Sequence, residues 1–136
     1  MESVFASVEL QSLFCAILLG LVQLVLAVLP SLGARGLPWA AGPRDDPGKP
    51  LGIHGGRLDR AYRNFLETFA FFAAAVLLAH AMGKSTPNSV LGAQIYLWAR
   101  VLYVPAYVFG IPFVRTLIWA ASLAGILMVL SAIWPG

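Results

Sequence analysis

Apolar residues run almost unbroken from Val8 to Leu29, with Gln11, Ser12 and Gln23 the main interruptions, and the run stops at Pro30. Three further stretches follow: about Leu58 to Met82 with a polar first turn, about Val90 to Phe109, and about Phe113 to Trp134. A hydrocarbon layer of about 30 Å asks for roughly 20 apolar residues in a helix. Each stretch meets that length, so the pattern predicts four transmembrane helices over 8–29, 58–82, 90–109 and 113–134 within one domain, 1–136. Strands are not expected, because alternation is absent and lipid-exposed sheet edges are forbidden. The first stretch is too long for a signal core and lacks a basic leader, so it reads as a retained span.

The breaks between these stretches differ in kind. Residues 30–56 are rich in Gly and Pro and hold Arg35, Arg44, Lys49, Asp45 and Asp46, an aqueous loop. Gly83 to Asn88 forms a short turn, and Gly110 with Pro112 reverses the chain before Arg115. Basic residues gather on one side: Arg35, Arg44, Lys49, Arg57, Arg60, Arg63 and Arg115, against Lys84 alone opposite, while Glu2 and Glu9 lie at the outer start of the first span. The positive-inside rule then puts the long loop in the cytoplasm and both termini outside. Trp134 and Trp39 suit the membrane interface.

Composition agrees. Hydrophobic residues make up 60% and charged residues 11% of the 136-residue chain, where soluble domains carry about 25% charged. The net charge of +3 is spread thinly; it reads as topology, and no nucleic-acid partner is expected. One cysteine, Cys15, excludes an internal disulfide framework and, in an apolar span with no adjacent base, reads as a packing thiol. His54 and His80 lack companions, so no metal site is expected. The Gly52–Gly56 run has neither the spacing nor the preceding strand of a phosphate loop.

Ionisable groups inside spans cost about 2.5–3.5 kcal/mol each on insertion scales, and those that remain are functional candidates. On the second helix Arg60, Arg63, Asn64 and Glu67 fall at i, i+3, i+4 and i+7, one narrow stripe at the cytoplasmic end. An internal Arg63–Glu67 pair with snorkelling arginines is the plain structural account. Cations, an amide and a carboxylate together suit a polar, zwitterionic ligand. The third helix carries Tyr96, Arg100, Tyr103 and Tyr107 on one face, and Glu67 is the simplest partner for Arg100. The fourth opens with Arg115, Thr116 and Trp119, where a cation, a hydroxyl and free backbone N–H groups can hold an anion. Ala121 with Gly125, and Ala120 with Ala124, permit close helix contact. Gln23 reads as a packing residue that hydrogen-bonds a neighbouring helix.

The run Arg57-Leu58-Asp59-Arg60-Ala61-Tyr62-Arg63-Asn64-Phe65-Leu66-Glu67-Thr68 resembles the second-helix signature of the MAPEG family. These are membrane-associated proteins in eicosanoid and glutathione metabolism, with a pattern close to R-A-x-x-N-x-x-E. The four spans, the long first loop and the Arg100, Tyr103, Tyr107, Arg115 series extend the resemblance over nearly the whole chain, which looks like a bacterial-type member of an inner membrane. It implies a homotrimer of four-helix protomers with glutathione held between subunits near the cytoplasm, and a lipophilic second substrate arriving through membrane lipid. Carried over, Arg60, Arg63, Asn64, Glu67 and Arg100 bind glutathione, Tyr103 and Tyr107 close the pocket, and Arg115 with Thr116 stabilises the sulfur as thiolate. The chain departs from the family at Tyr62, often His in eukaryotic members, at Phe71, usually Pro, and at Trp119, where some active members have Tyr.

The functions that follow are a glutathione-dependent transferase or peroxidase, or a non-catalytic scaffold for a lipid or membrane partner, which Trp119 favours. A channel or transporter subunit fits less well, since the charges cluster at one end.

Overall fold

The computed structural model describes residues 7–134, so Glu2 lies outside the described residues. The elements are α1 (Val8–Arg35), the short α2 (Leu37–Ala41), α3 (Gly52–Ala81), α4 (Pro87–Val108) and α5 (Val114–Ser131). No strand occurs among the described residues. By length and composition α1, α3 and α5 can each cross a membrane. The sequence pattern counts α4 as well; it has the length, at 22 residues, but Arg100 and three tyrosines dilute its apolar character. It packs against α1, α3 and α5.

Helix ends differ from the sequence expectation where tertiary contact outweighs local preference. α1 does not stop at Pro30 but continues to Arg35 and ends at Gly36, whose φ of 83° suits glycine. Proline forfeits one helical hydrogen bond, yet its ring is where α1 meets α3: a Cβ added at buried Gly55 would lie 3.0 Å from Pro30 Cβ. That contact also explains why α3 starts at Gly52, six residues before the expected Leu58. Its glycine-rich first turn has poor intrinsic helix preference and is held by packing. α4 starts at Pro87 behind a capping box in which Thr86 and Ser89 satisfy each other's backbone N–H.

Lipid tails are as apolar as leucine, so the helices are held by close packing more than by water exclusion. The tightest contact joins α4 to α5. A Cβ at Gly92 would stand 2.6 Å from Gly125 O, and one at Gly125 2.6 Å from Gly92 O. Gly125 thus makes the close contact expected of it, but with Ser122, Ile126 and Val129 as buried neighbours, while Ala120 and Ala124 face outward. The core gathers Leu13, Ala16, Phe72, Val76, Tyr96 and Val129. The Phe72 and Tyr96 rings stack at 4.0 Å. Cys15 is exposed on the outer face of α1 rather than packed inside, because it lies away from the buried Leu13 and Ala16 edge.

Candidate functional site

Three helices meet at the end of the molecule nearest the 36–51 connection between α1 and α3. Tyr107, in the last turn of α4, is the common point. Arg60 of α3 donates from Nε to its hydroxyl at 3.0 Å, with the guanidinium 5.8 Å from the ring centroid. Arg115 of α5 lies 4.9 Å from the same ring and within electrostatic reach of Tyr103. Cations over aromatic faces are drawn by the ring quadrupole. Two guanidinium groups from different helices therefore share one phenol, and both residues remain exposed.

One turn deeper, the Tyr103 ring stands 5.7 Å from that of Tyr107. Arg100 lies behind it, 4.2 Å from the Tyr103 centroid and 5.9 Å from that of Phe65. Arg100 is 1% exposed, and none of its three nitrogens finds a hydrogen-bond acceptor among the described residues. Asn64 Oδ1 is likewise buried without a donor. A buried cation without a partner is costly, so ring faces are its compensation within the chain.

Some expected pairings are absent. The Arg100–Glu67 ion pair does not form: Glu67 is exposed on α3 while Arg100 turns inward to the rings, though Glu67 stays within electrostatic reach. Arg63 does not pair with Glu67 either. It reaches back one turn to Asp59, Nε to Oδ2 at 3.1 Å, beside a crevice shared with Arg35 and Trp39. Arg63 and Glu67 thus stand on an outward stripe, apart from the Tyr107 cluster within a single chain. Thr116 is exposed near the start of α5, and Trp119 one turn on is 37% exposed. Tyr96, read on the same face as Arg100, is a core residue whose hydroxyl meets Thr68 Oγ1 at 3.0 Å. Gln23 is buried as expected, yet neither of its side-chain polar atoms has a partner among the described residues.

The turn leading into α5 aims Arg115. Gly110 has φ 67° and Phe113 has φ 65°, unusual for a bulky residue. Arg57 fastens the other side, donating from Nη1 to Val108 O at 3.0 Å, where the last carbonyls of a helix favour a cation. The sequence pattern marks Arg57 only as a topology charge. It lies three residues before Arg60 on the same face, and carrying the stripe back one turn reaches it. No spacing signals Glu9, 5% exposed, which accepts from Ser89 Oγ at 3.3 Å across 80 residues of chain.

An all-helical chain with apolar spans and a basic, phenolic cluster at one end defines a class: a polytopic membrane protein with a polar site at its rim. The family is explicit. The MAPEG family profile matches residues 12–134, and the chain belongs to the MAPEG family. No curated protein and no solved structure matches it. At family level, membership gives a glutathione-related membrane role of transferase or peroxidase type.

Proposed function

We propose that this protein is an integral-membrane, glutathione-dependent transferase or peroxidase acting on a lipophilic electrophile. The observation that carries the reading is the meeting of Arg60, Tyr107 and Arg115 from three helices on one exposed rim. Such a cradle suits the two carboxylates and the sulfur of the tripeptide. A thiol with pKa near 8.5 is mostly protonated at neutral pH, and a nearby cation favours the thiolate. Arg115, exposed and aimed by the strained turn, is the residue for that task, with Thr116 as the adjacent hydroxyl. Arg60 and Asn64 hold the peptide, and Tyr103 and Tyr107 close over it, with Arg100 as a fixed positive charge behind the phenols.

The working unit in this reading is a homotrimer of four-span protomers with the ligand between copies. Glu67 and Arg63 support it. A carboxylate exposed a turn inside an apolar span is costly against lipid but suits a boundary with a neighbouring copy and a ligand amino group. Both termini lie outside and the 36–51 connection lies in the cytoplasm. Isothermal titration of the purified protein with glutathione tests the reading. Saturable heat with matching thermal stabilisation is expected; neither effect at millimolar ligand would remove it.

A second reading, a scaffold that binds a lipid or a membrane partner without turnover, is favoured by Trp119. Its indole stands where a hydroxyl near the sulfur would serve chemistry. Glutathione binding without conjugation of any model electrophile would support it.

A further inference from the structure

A second basic recess lies beside the Tyr107 cluster, between the end of α1 and the start of α3. Its volume is about 630 Å³, and Arg35, Arg57 and Arg60 line it together with Asp59, Leu51 and Ile53. Each arginine spends one donor inside the chain: Arg35 Nε on Lys49 O at 2.9 Å, Arg57 Nη1 on Val108 O, and Arg60 Nε on Tyr107. A guanidinium carries five N–H donors, so most of theirs remain for a ligand. The one carboxylate in the recess, Asp59, is already engaged by Arg63. Three cations against one neutralised acid leave a strongly anion-seeking pocket.

Depth identifies the anion. α1 and α3 have 28 and 30 residues, about 42 and 45 Å at the usual helical rise. Both exceed the hydrocarbon layer of about 30 Å. Arg35 is the last residue of α1, and Arg57 and Arg60 lie within the first nine of α3, so the recess falls among lipid phosphates. Its far wall is apolar: Ile53 is 69% exposed, and Leu51 and Pro50 stand beside it. Basic pockets between helices at a cytoplasmic face hold anionic lipid head groups. A soluble anion would gain nothing from the apolar wall, whereas a glycerophospholipid presents a phosphate and the root of its acyl chains together.

We propose that this recess is a binding site for the phosphate of an anionic membrane lipid, held by Arg35 and Arg57 with Arg60 at its edge. The site rests on membrane depth and not on the glutathione reading, and neither Arg35 nor Arg57 is among the residues proposed to touch glutathione.

The test is native mass spectrometry of the full chain, titrated in mixed micelles with phosphatidylglycerol or phosphatidylcholine. The protein is expected to retain phosphatidylglycerol preferentially, with retention weakening about fivefold for each of Arg35→Gln and Arg57→Gln. Asp59→Asn is expected to strengthen it, a gain that misfolding cannot imitate. Equal retention of the two lipids, or retention unchanged in both arginine variants, would overturn the site. Displacement of the lipid by excess inorganic phosphate would overturn the lipid assignment in favour of a free anion. Displacement by glutathione would overturn a separate site. A glutathione titration without heat leaves this result untouched.

Discussion

In the proposed site, Arg115 and Tyr107 have different tasks. Arg115 lies over the Tyr107 ring and within electrostatic reach of Tyr103, an arrangement that leaves most of its five donors for an anion. Arg115→Ala is expected to reduce conjugation of a model electrophile roughly 100-fold, the cost of losing one preorganised anion donor, while assembly in detergent stays intact. Unchanged turnover would assign the thiolate to another group. Tyr107→Phe keeps the ring under both cations and removes only the oxygen that accepts from Arg60 at 3.0 Å. A freed Arg60 loses its orientation, and glutathione affinity is expected to fall about tenfold, the worth of one charge-assisted hydrogen bond. Titration of the variant reads this directly, and an unaltered Kd would make the bond incidental. Arg100 differs from both. Sequence spacing puts it on the face of Tyr103 and Tyr107, which is correct, but spacing cannot tell a ligand contact from a cation enclosed by rings. That distinction depends on the third dimension.

At the scale of elements, the polar stripes are legible in the sequence because helical periodicity is strict: residues seven apart share a face whatever surrounds them. Helix ends are less legible. Gly52 to Gly56 reads as loop by propensity, and only the fit of Pro30 against Gly55 makes it helix. The Glu9–Ser89 tie joins the first turns of α1 and α4, and nothing local to either residue announces it. The α4–α5 contact lies between these extremes: Gly125 is recognisable as a small residue, but its partner Gly92 is not. That contact has a sharp consequence. In Gly125→Ala the new methyl would stand 2.6 Å from Gly92 O and 2.8 Å from Tyr96 N, backbone atoms that cannot turn aside. Overpacking of this kind costs about 1–3 kcal/mol, and thermal unfolding in detergent is expected to show a lowered Tm. Gly33→Ala is the control, since nothing lies within 4 Å of its added methyl and alanine is the better helix former. Equal behaviour of the two variants would mean that the helices part freely at Gly92.

For the whole molecule, the question is whether α4 crosses. Its composition alone does not require it, and Arg100 argues against it on any insertion scale. Packing supplies a way to offset that cost. Arg100 is 1% exposed, so lipid never meets the charge, and α4 lies against α1, α3 and α5, all of which can span. Its 22 residues extend about 33 Å, enough to carry the chain from the end of α3 to the start of α5. A crossing α4 puts Lys84 on one face of the membrane and Ile111 on the other, and the proposed orientation, which follows the excess of arginine, has Ile111 in the cytoplasm. In a Cys15→Ser background, a membrane-impermeant maleimide applied to intact cells is expected to label Lys84→Cys and to spare Asp45→Cys and Ile111→Cys until the membrane is opened. Labelling of Lys84→Cys and Ile111→Cys from the same side would make α4 a re-entrant element. The Tyr107–Arg115 rim and the long connection would then face different compartments, and a glutathione site supplied from the cytoplasm would lose its geometry.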